Sequence, residues 1–161
     1  QIGPVSQVKI KYLYDQLVYF VNGERENALM TAVIPYLKTL SSDELFDIAA
    51  FYAESSASVG QADSDVDLLA LGESLYRAGD LSRGIPACTA CHSLYGEGNI
   101  QAGFPKISGQ QKGYLISTLK EYRSQSRNAG NYALVMQAAS ANLKDDDIEA
   151  LANYMHGLYR K

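Results

Sequence analysis

Cysteine and histidine are scarce in this sequence, and tryptophan is absent. The 161 residues include two cysteines and two histidines, and no apolar run approaches the length of a membrane span. The cysteine count therefore gives no signal for a disulfide framework. The net charge of −4 is too acidic for a nucleic-acid-binding surface. With 47% hydrophobic and 20% charged residues, the composition is that of a globular protein.

Both cysteines lie in one motif, Cys88-Thr89-Ala90-Cys91-His92. This C-x-x-C-H spacing is the attachment signature of a c-type haem, because two thiols bond to two vinyl groups of one porphyrin and the histidine reaches the iron. A thioredoxin-like disulfide needs a βαβ context that the sequence does not show, and a zinc site needs more ligands than the distant His156. The motif therefore predicts one covalent haem c, with His92 as an iron ligand.

Helical periodicity predicts an all-α fold. Ile148, Leu151 and Met155 form an apolar stripe in the last segment. Three aspartates, residues 145–147, directly precede the stripe and favour the start of a helix there. An earlier segment repeats this spacing after a capping box, which consists of residues 41–44. A further helix is expected from residue 65 to about residue 78, and Gly72 on it permits close approach of another helix.

The first part of the sequence repeats the second at an offset of 102 or 103 residues. The equivalent residues are Tyr12, Leu17, Phe20, Arg25 and Leu40 in the first part, and Tyr114, Leu119, Tyr122, Arg127 and Leu143 in the second. A small, polar linker over residues 55–62 separates them. We predict a haem-free helical domain over residues 1–60 and a haem-binding domain over residues 61–161. The first domain has neither Cys nor His, so it cannot hold a covalent haem as written.

A second axial ligand must come from a methionine or from His156. Met155 lies on the apolar stripe and is expected in the core, and a solvated or capping role is expected for His156. Packing is the default for Met30, which lies in the haem-free part. Met136 precedes the last helix on a segment able to close over a haem, so we predict Met136 as the distal ligand. The repeat places Val33 at the equivalent position, which lacks a thioether.

The sequence resembles the bacterial two-domain class I cytochromes of the cytochrome c4 family. The matching stretches are residues 47–52, 58–63, 84–93, 103–106, 109–110, 114–115 and 136–137. The resemblance implies a class I cytochrome c fold in the C-terminal half, attachment of the haem by Cys88 and Cys91, and axial ligation by His92 and Met136. It also implies that the carbonyl of Pro105 accepts a hydrogen bond from the His92 ring, which would fix the imidazole plane.

The family has one haem in each domain, whereas this sequence contains one motif. A natural single-haem relative and a fragment of a longer chain both account for the difference. We favour a one-haem chain, because Val33 also replaces the distal methionine of the first half.

The predicted function is electron transfer rather than catalysis, because two protein ligands leave the iron no open position. The expected partners are redox proteins: a membrane complex or dehydrogenase as donor, and an oxidase or reductase as acceptor. Covalent attachment indicates the periplasm, and any membrane association would be peripheral. The alternative is a permanent subunit of a larger oxidoreductase, assembled through residues 1–60 as a homodimer or heteromer. A peroxidase-like enzyme ranks last, since no distal His/Arg pair is present.

Overall fold

The protein is described by a computed structural model that covers residues 4–55, 60–99 and 101–160. Its α-helices, in chain order, are α1 (Pro4–Asn22), α2 (Ile34–Leu37), α3 (Ser42–Glu54), α4 (Val66–Ala78), α5 (Thr89–His92), α6 (Lys112–Arg123), α7 (Ala133–Ser140) and α8 (Asp145–Gly157). A 3-10 helix covers Leu81–Arg83. These ranges contain isolated bridges but no β-strand, so the predicted all-α fold is confirmed. None of the helices described is long and apolar enough to cross a lipid bilayer.

The second half is built around α8, which packs against both α4 and α6. Ile148, Leu151 and Met155 are buried in this core, as the apolar stripe predicts. The contact with α4 is close because Gly72 lacks a side chain: a β-carbon there would overlap the carbonyl of Ala150. Burial on both sides of α8 gives this half a continuous core.

The first half consists of α1, α2 and α3, with α1 packed along α3. The predicted capping box is present: the Glu44 amide donates to Ser41 Oγ (3.3 Å), and the Ser41 amide donates to Glu44 Oε2 (2.8 Å). Much apolar surface remains exposed on these helices and their connections, at Leu29, Val33, Tyr36, Phe46, Phe51 and Tyr52. The first half therefore buries few of its own apolar side chains.

The helix bounds agree with the sequence repeat. Helices α3 and α8 begin at residues 42 and 145, which are 103 positions apart, and α1 and α6 end at residues 22 and 123, which are 101 apart. Part of the predicted linker, residues 56–59, lies outside the described ranges. The domain division at residue 60 stays a prediction.

Candidate functional site

The two cysteines and His92 lie on a single helical turn. Helix α5 follows Cys88, and the His92 amide donates to the Cys88 carbonyl (2.9 Å). The turn ends at Ser93, whose φ of 68° redirects the chain. The Tyr76 hydroxyl donates to the Ser93 carbonyl (2.7 Å) and fixes this exit against α4. The local fold thus presents two thiols and one imidazole from five consecutive residues.

His92 is buried and held by its Nδ1 atom. That nitrogen lies 2.9 Å from the Pro105 carbonyl oxygen, which is the contact expected from the family resemblance. A carbonyl can only accept, so Nδ1 carries the proton and Nε2 keeps its lone pair. Burial lowers the pKa of His92, with Pro105 opposing the shift, which favours the neutral imidazole that binds a metal. The Phe104 ring lies beside the imidazole, with centroids 6.4 Å apart.

Both cysteines are unpaired and partly buried. Burial raises the pKa of the Cys88 thiol to about 11, so this thiol is protonated at neutral pH. Cys88 and Met136 pack against the same buried cluster, which is built mainly from α4, α6 and α8. The structure therefore places a predicted attachment thiol and the predicted distal thioether against one core.

Met136 lies on α7, a helix that the sequence analysis treated only as a segment before the last helix. Gln137, its neighbour, donates from Nε2 to the Arg127 carbonyl (2.9 Å) and fixes α7 against the segment that follows α6.

The sequence repeat paired Arg127 with Arg25 only as equivalent positions, whereas the structure shows that both side chains are buried. Burial of a charge depends on tertiary contacts, which the repeat pattern does not contain.

The other ligand candidates lie in different surroundings. Met155 is 3% exposed within the core, as expected from the apolar stripe. His156 is partly exposed, and its Nδ1 lies 2.7 Å from the Gln110 carbonyl. Met30 belongs to a turn in the first half. Met155 is itself part of the core against which Cys88 and Met136 pack.

The residues present fit a covalent haem. Two unpaired thiols follow the porphyrin spacing, and a neutral imidazole keeps one nitrogen free. Helix α7 also exposes Leu134 and Val135, which lie between the buried Ala133 and the partly buried Met136. Leu81 and Leu94, before and after the motif in the sequence, are exposed as well. Exposed apolar side chains on both segments suit a flat apolar ring.

Comparisons with known proteins all find similarity to cytochromes c. The cytochrome c family profile matches residues 69–158. The chain is 39% identical to cytochrome c4 of Pseudomonas aeruginosa over 149 residues, which cover 92% of this chain and 72% of that protein. Other cytochromes c4 are matched over 58% to 74% of their length.

Solved structures similar to this fold include a cytochrome c4 and a thiosulfate dehydrogenase. Reduced recombinant cytochrome c4 from Pseudomonas stutzeri superposes with a TM-score of 0.85 and 38% identity, covering 94% of this chain and 82% of that one. A thiosulfate dehydrogenase from Marichromatium purpuratum superposes with a TM-score of 0.79 and 32% identity. That match covers 94% of this chain but 31% of the dehydrogenase chain.

Proposed function

The chain belongs to the cytochrome c family, and within it to the cytochromes c4; from this premise we propose that it is a periplasmic carrier of one electron on a single haem c ligated by His92 and Met136. It is an electron-transfer cytochrome that binds haem c covalently, and it is not an enzyme. One observation carries the finer proposal. The buried His92 imidazole is oriented through Nδ1 by Pro105, beside two unpaired thiols.

The residues of the site each have a separate task. Cys88 and Cys91 anchor the porphyrin, and Pro105 fixes the plane of the His92 ring and increases its basicity. Met136 on α7 would supply a thioether, which would raise the reduction potential relative to more strongly donating ligands. The iron supplies one-electron redox chemistry when the haem is bound. With His92 and Met136 both bound, the iron would have no open position for a substrate.

We expect one haem for these 161 residues, because they contain one C-x-x-C-H motif. The first half has no thiol or imidazole, and Val33 occupies the position equivalent to Met136. Val33 is 43% exposed, so its side chain does not pack into a closed pocket of the first half.

Redox proteins are the proposed partners, and the exposed apolar side chains of Leu81, Leu94, Leu134 and Val135 are the proposed contact surface. Leu81 and Leu134 are among its most exposed side chains. Contacts between electron-transfer proteins tend to be small and weak, which permits rapid turnover. The periplasm is the proposed compartment because bacteria attach haem c outside the cytoplasm.

Carbon monoxide tests the axial ligation. The reduced wild-type protein should not bind carbon monoxide, because His92 and Met136 fill both axial positions. The Met136→Ala variant should bind it, and its ferric form should lose the far-red band of methionine ligation. Met155→Ala is the matched control and should keep both properties. Carbon monoxide binding by the wild type, or an unchanged spectrum in Met136→Ala, would contradict the proposed ligand pair.

A second candidate function is a permanent electron-transfer subunit of a larger oxidoreductase. Two observations favour it: the similarity to 31% of a thiosulfate dehydrogenase chain, and the exposed apolar side chains of the first half. Large exposed apolar patches commonly mark protein interfaces. Light scattering and hydrogen exchange together distinguish the candidates. A carrier should be a monomer by light scattering, with residues 10–54 already protected from hydrogen exchange. Self-association, or protection gained only on adding a partner, would favour the subunit.

A further inference from the structure

Two arginines meet where the halves of the molecule are in contact. Arg25 donates to Gln16 Oε1 (2.7 Å) and to the Tyr114 hydroxyl (3.2 Å). Arg127 donates to the same Gln16 oxygen (3.3 Å) and to the Tyr12 hydroxyl (3.3 Å). Each arginine thus reaches the tyrosine of the other half, and both guanidinium groups converge on one neutral oxygen.

Each arginine also lies over an aromatic ring of its own half. The Arg25 guanidinium carbon is 4.6 Å from the Phe20 ring centroid, and that of Arg127 is 4.8 Å from the Tyr122 centroid. Phe20 and Tyr122 are repeat equivalents. The cluster is therefore an approximately symmetric arrangement, in which the stacking partner is local and the hydrogen-bond partner comes from the other half.

The charge of this cluster is not balanced within the part of the chain that the structure describes. Arg25 and Arg127 are 8% and 5% exposed, and neither forms a salt bridge with a carboxylate of residues 4–55, 60–99 or 101–160. The Nε atom of Arg25 is buried and has no hydrogen-bond partner among the described residues. Burial tends to raise the pKa of Tyr114, but Arg127 and Arg25 outweigh it and hold that pKa below its ordinary value.

Two adjacent buried cations without an anion are costly, because desolvation and mutual repulsion both oppose burial. Each guanidinium group presents a fixed fork of N–H donors that matches the two oxygens of a carboxylate. A carboxylate is therefore the anion that best balances the charge of the two arginines. The cluster is also continuous with the haem site. Arg127 belongs to the connection that leads into α7, and Gln137 binds its carbonyl next to Met136.

We propose that Arg25 and Arg127 form a shared carboxylate site between the halves, and that a propionate of the haem in the second half is the carboxylate. This inference rests on the proposed haem site. It gives the first half a role that its lack of thiols and imidazoles does not suggest: Arg25 balances the charge of a haem bound by the other half. Since a nearby cation favours the reduced, less positive haem, Arg25 also contributes to the reduction potential.

The test compares Arg25→Gln and Arg25→Lys in the haem-loaded protein with Lys11→Gln. Lys11 is exposed on α1, the helix that also carries Gln16, and it pairs with Asp15, so its variant removes the same charge outside the cluster. Two readouts are used: the midpoint potential at an ionic strength of about 1 M, where surface charges are screened within ~3 Å, and the carbon-13 resonances of labelled propionates in the reduced state.

Arg25→Gln should lower the potential and move one propionate resonance, while Lys11→Gln should change neither at this ionic strength. Arg25→Lys should keep most of the potential but still move the resonance, because one ammonium cannot replace the fork; this variant also serves if Arg25→Gln fails to fold. Unchanged propionate resonances in both Arg25 variants, with the haem still covalently bound, would overturn the site alone. A protein without covalent haem would overturn the proposed function and this site together.

A free anion from solution is the alternative source of a carboxylate. Acetate added to the wild-type protein at constant ionic strength distinguishes the two sources. A propionate already in place predicts no dependence of the potential on acetate. A saturable dependence that disappears in Arg25→Lys would identify a solution anion and overturn the propionate assignment.

Discussion

Equivalent helices of the two halves differ in how much of their surface is buried. Helix α8 has seven buried residues, whereas α3, which begins at the equivalent position, has two. The difference comes from neighbours: α8 packs against both α4 and α6, whereas α3 packs mainly along α1. A pair of amphipathic helices therefore does not make a core by itself. The second half adds α4 and the haem-binding segment, and these supply the missing side.

The largest expected effect comes from removing haem attachment, which should make the second half resemble the first. Replacing Cys88 and Cys91 together by Ala should abolish covalent haem and leave a chain that folds poorly, because the haem is a large part of so small a core. Circular dichroism and acid–acetone extraction measure the two outcomes. Haem extracted into the organic phase from wild-type protein would show that no thioether bond had formed.

A smaller effect is expected from truncating one helix position in each half. Met155→Ala should cost about 2–5 kcal/mol of unfolding free energy, since Met155 is 3% exposed in the core. Tyr52 is its repeat equivalent and is 64% exposed, so Tyr52→Ala should change the free energy by no more than about 0.5 kcal/mol. Denaturant titration measures both. Equal losses would mean that Tyr52 is covered in solution by something that the isolated fold does not contain.

The acidic residues in the first turns of α3 and α8 also differ in burial. Asp147 is buried, accepts from the Lys144 amide (2.8 Å) and pairs with Arg83 (2.8 Å), whereas the equivalent Glu44 is exposed in its capping box. Asp147→Asn should cost about 1–3 kcal/mol, and Glu44→Gln should have little effect on global unfolding. Thermal unfolding of both variants measures the difference, and a larger loss from Glu44→Gln would reverse the comparison.

The stabilisation by Asp147 should also depend on pH. Burial alone would raise the pKa of this carboxyl, but Arg83 and the Lys144 amide outweigh burial and hold it below its ordinary value of 3.8. A lowered folded-state pKa stabilises the fold above the ordinary value, and the benefit is lost as the pH falls through the folded pKa. The difference between wild type and Asp147→Asn should thus be constant above about pH 5 and shrink below pH 4. A difference that grows on acidification would contradict this account.

Local patterns were sufficient to predict much of the fold and part of the site. The Ser41 capping box and the apolar stripe of α8 depend on residues three or four positions apart, and both are confirmed. Helix α7 was missed because its sequence is apolar without a clear helical period. The Arg25–Arg127 cluster was missed because it depends on contacts between residues about a hundred positions apart. The periodicity of each helix contains no information on which buried charges meet.

The central claim is that these 161 residues hold one haem, bonded to Cys88 and Cys91. Intact mass spectrometry of the denatured holoprotein tests it most directly, followed by mapping of the modified peptide. The account predicts the mass of the polypeptide plus one haem, with the addition on the peptide that contains Cys88 and Cys91. An unmodified polypeptide mass, or a haem mapped to any other peptide, would contradict it.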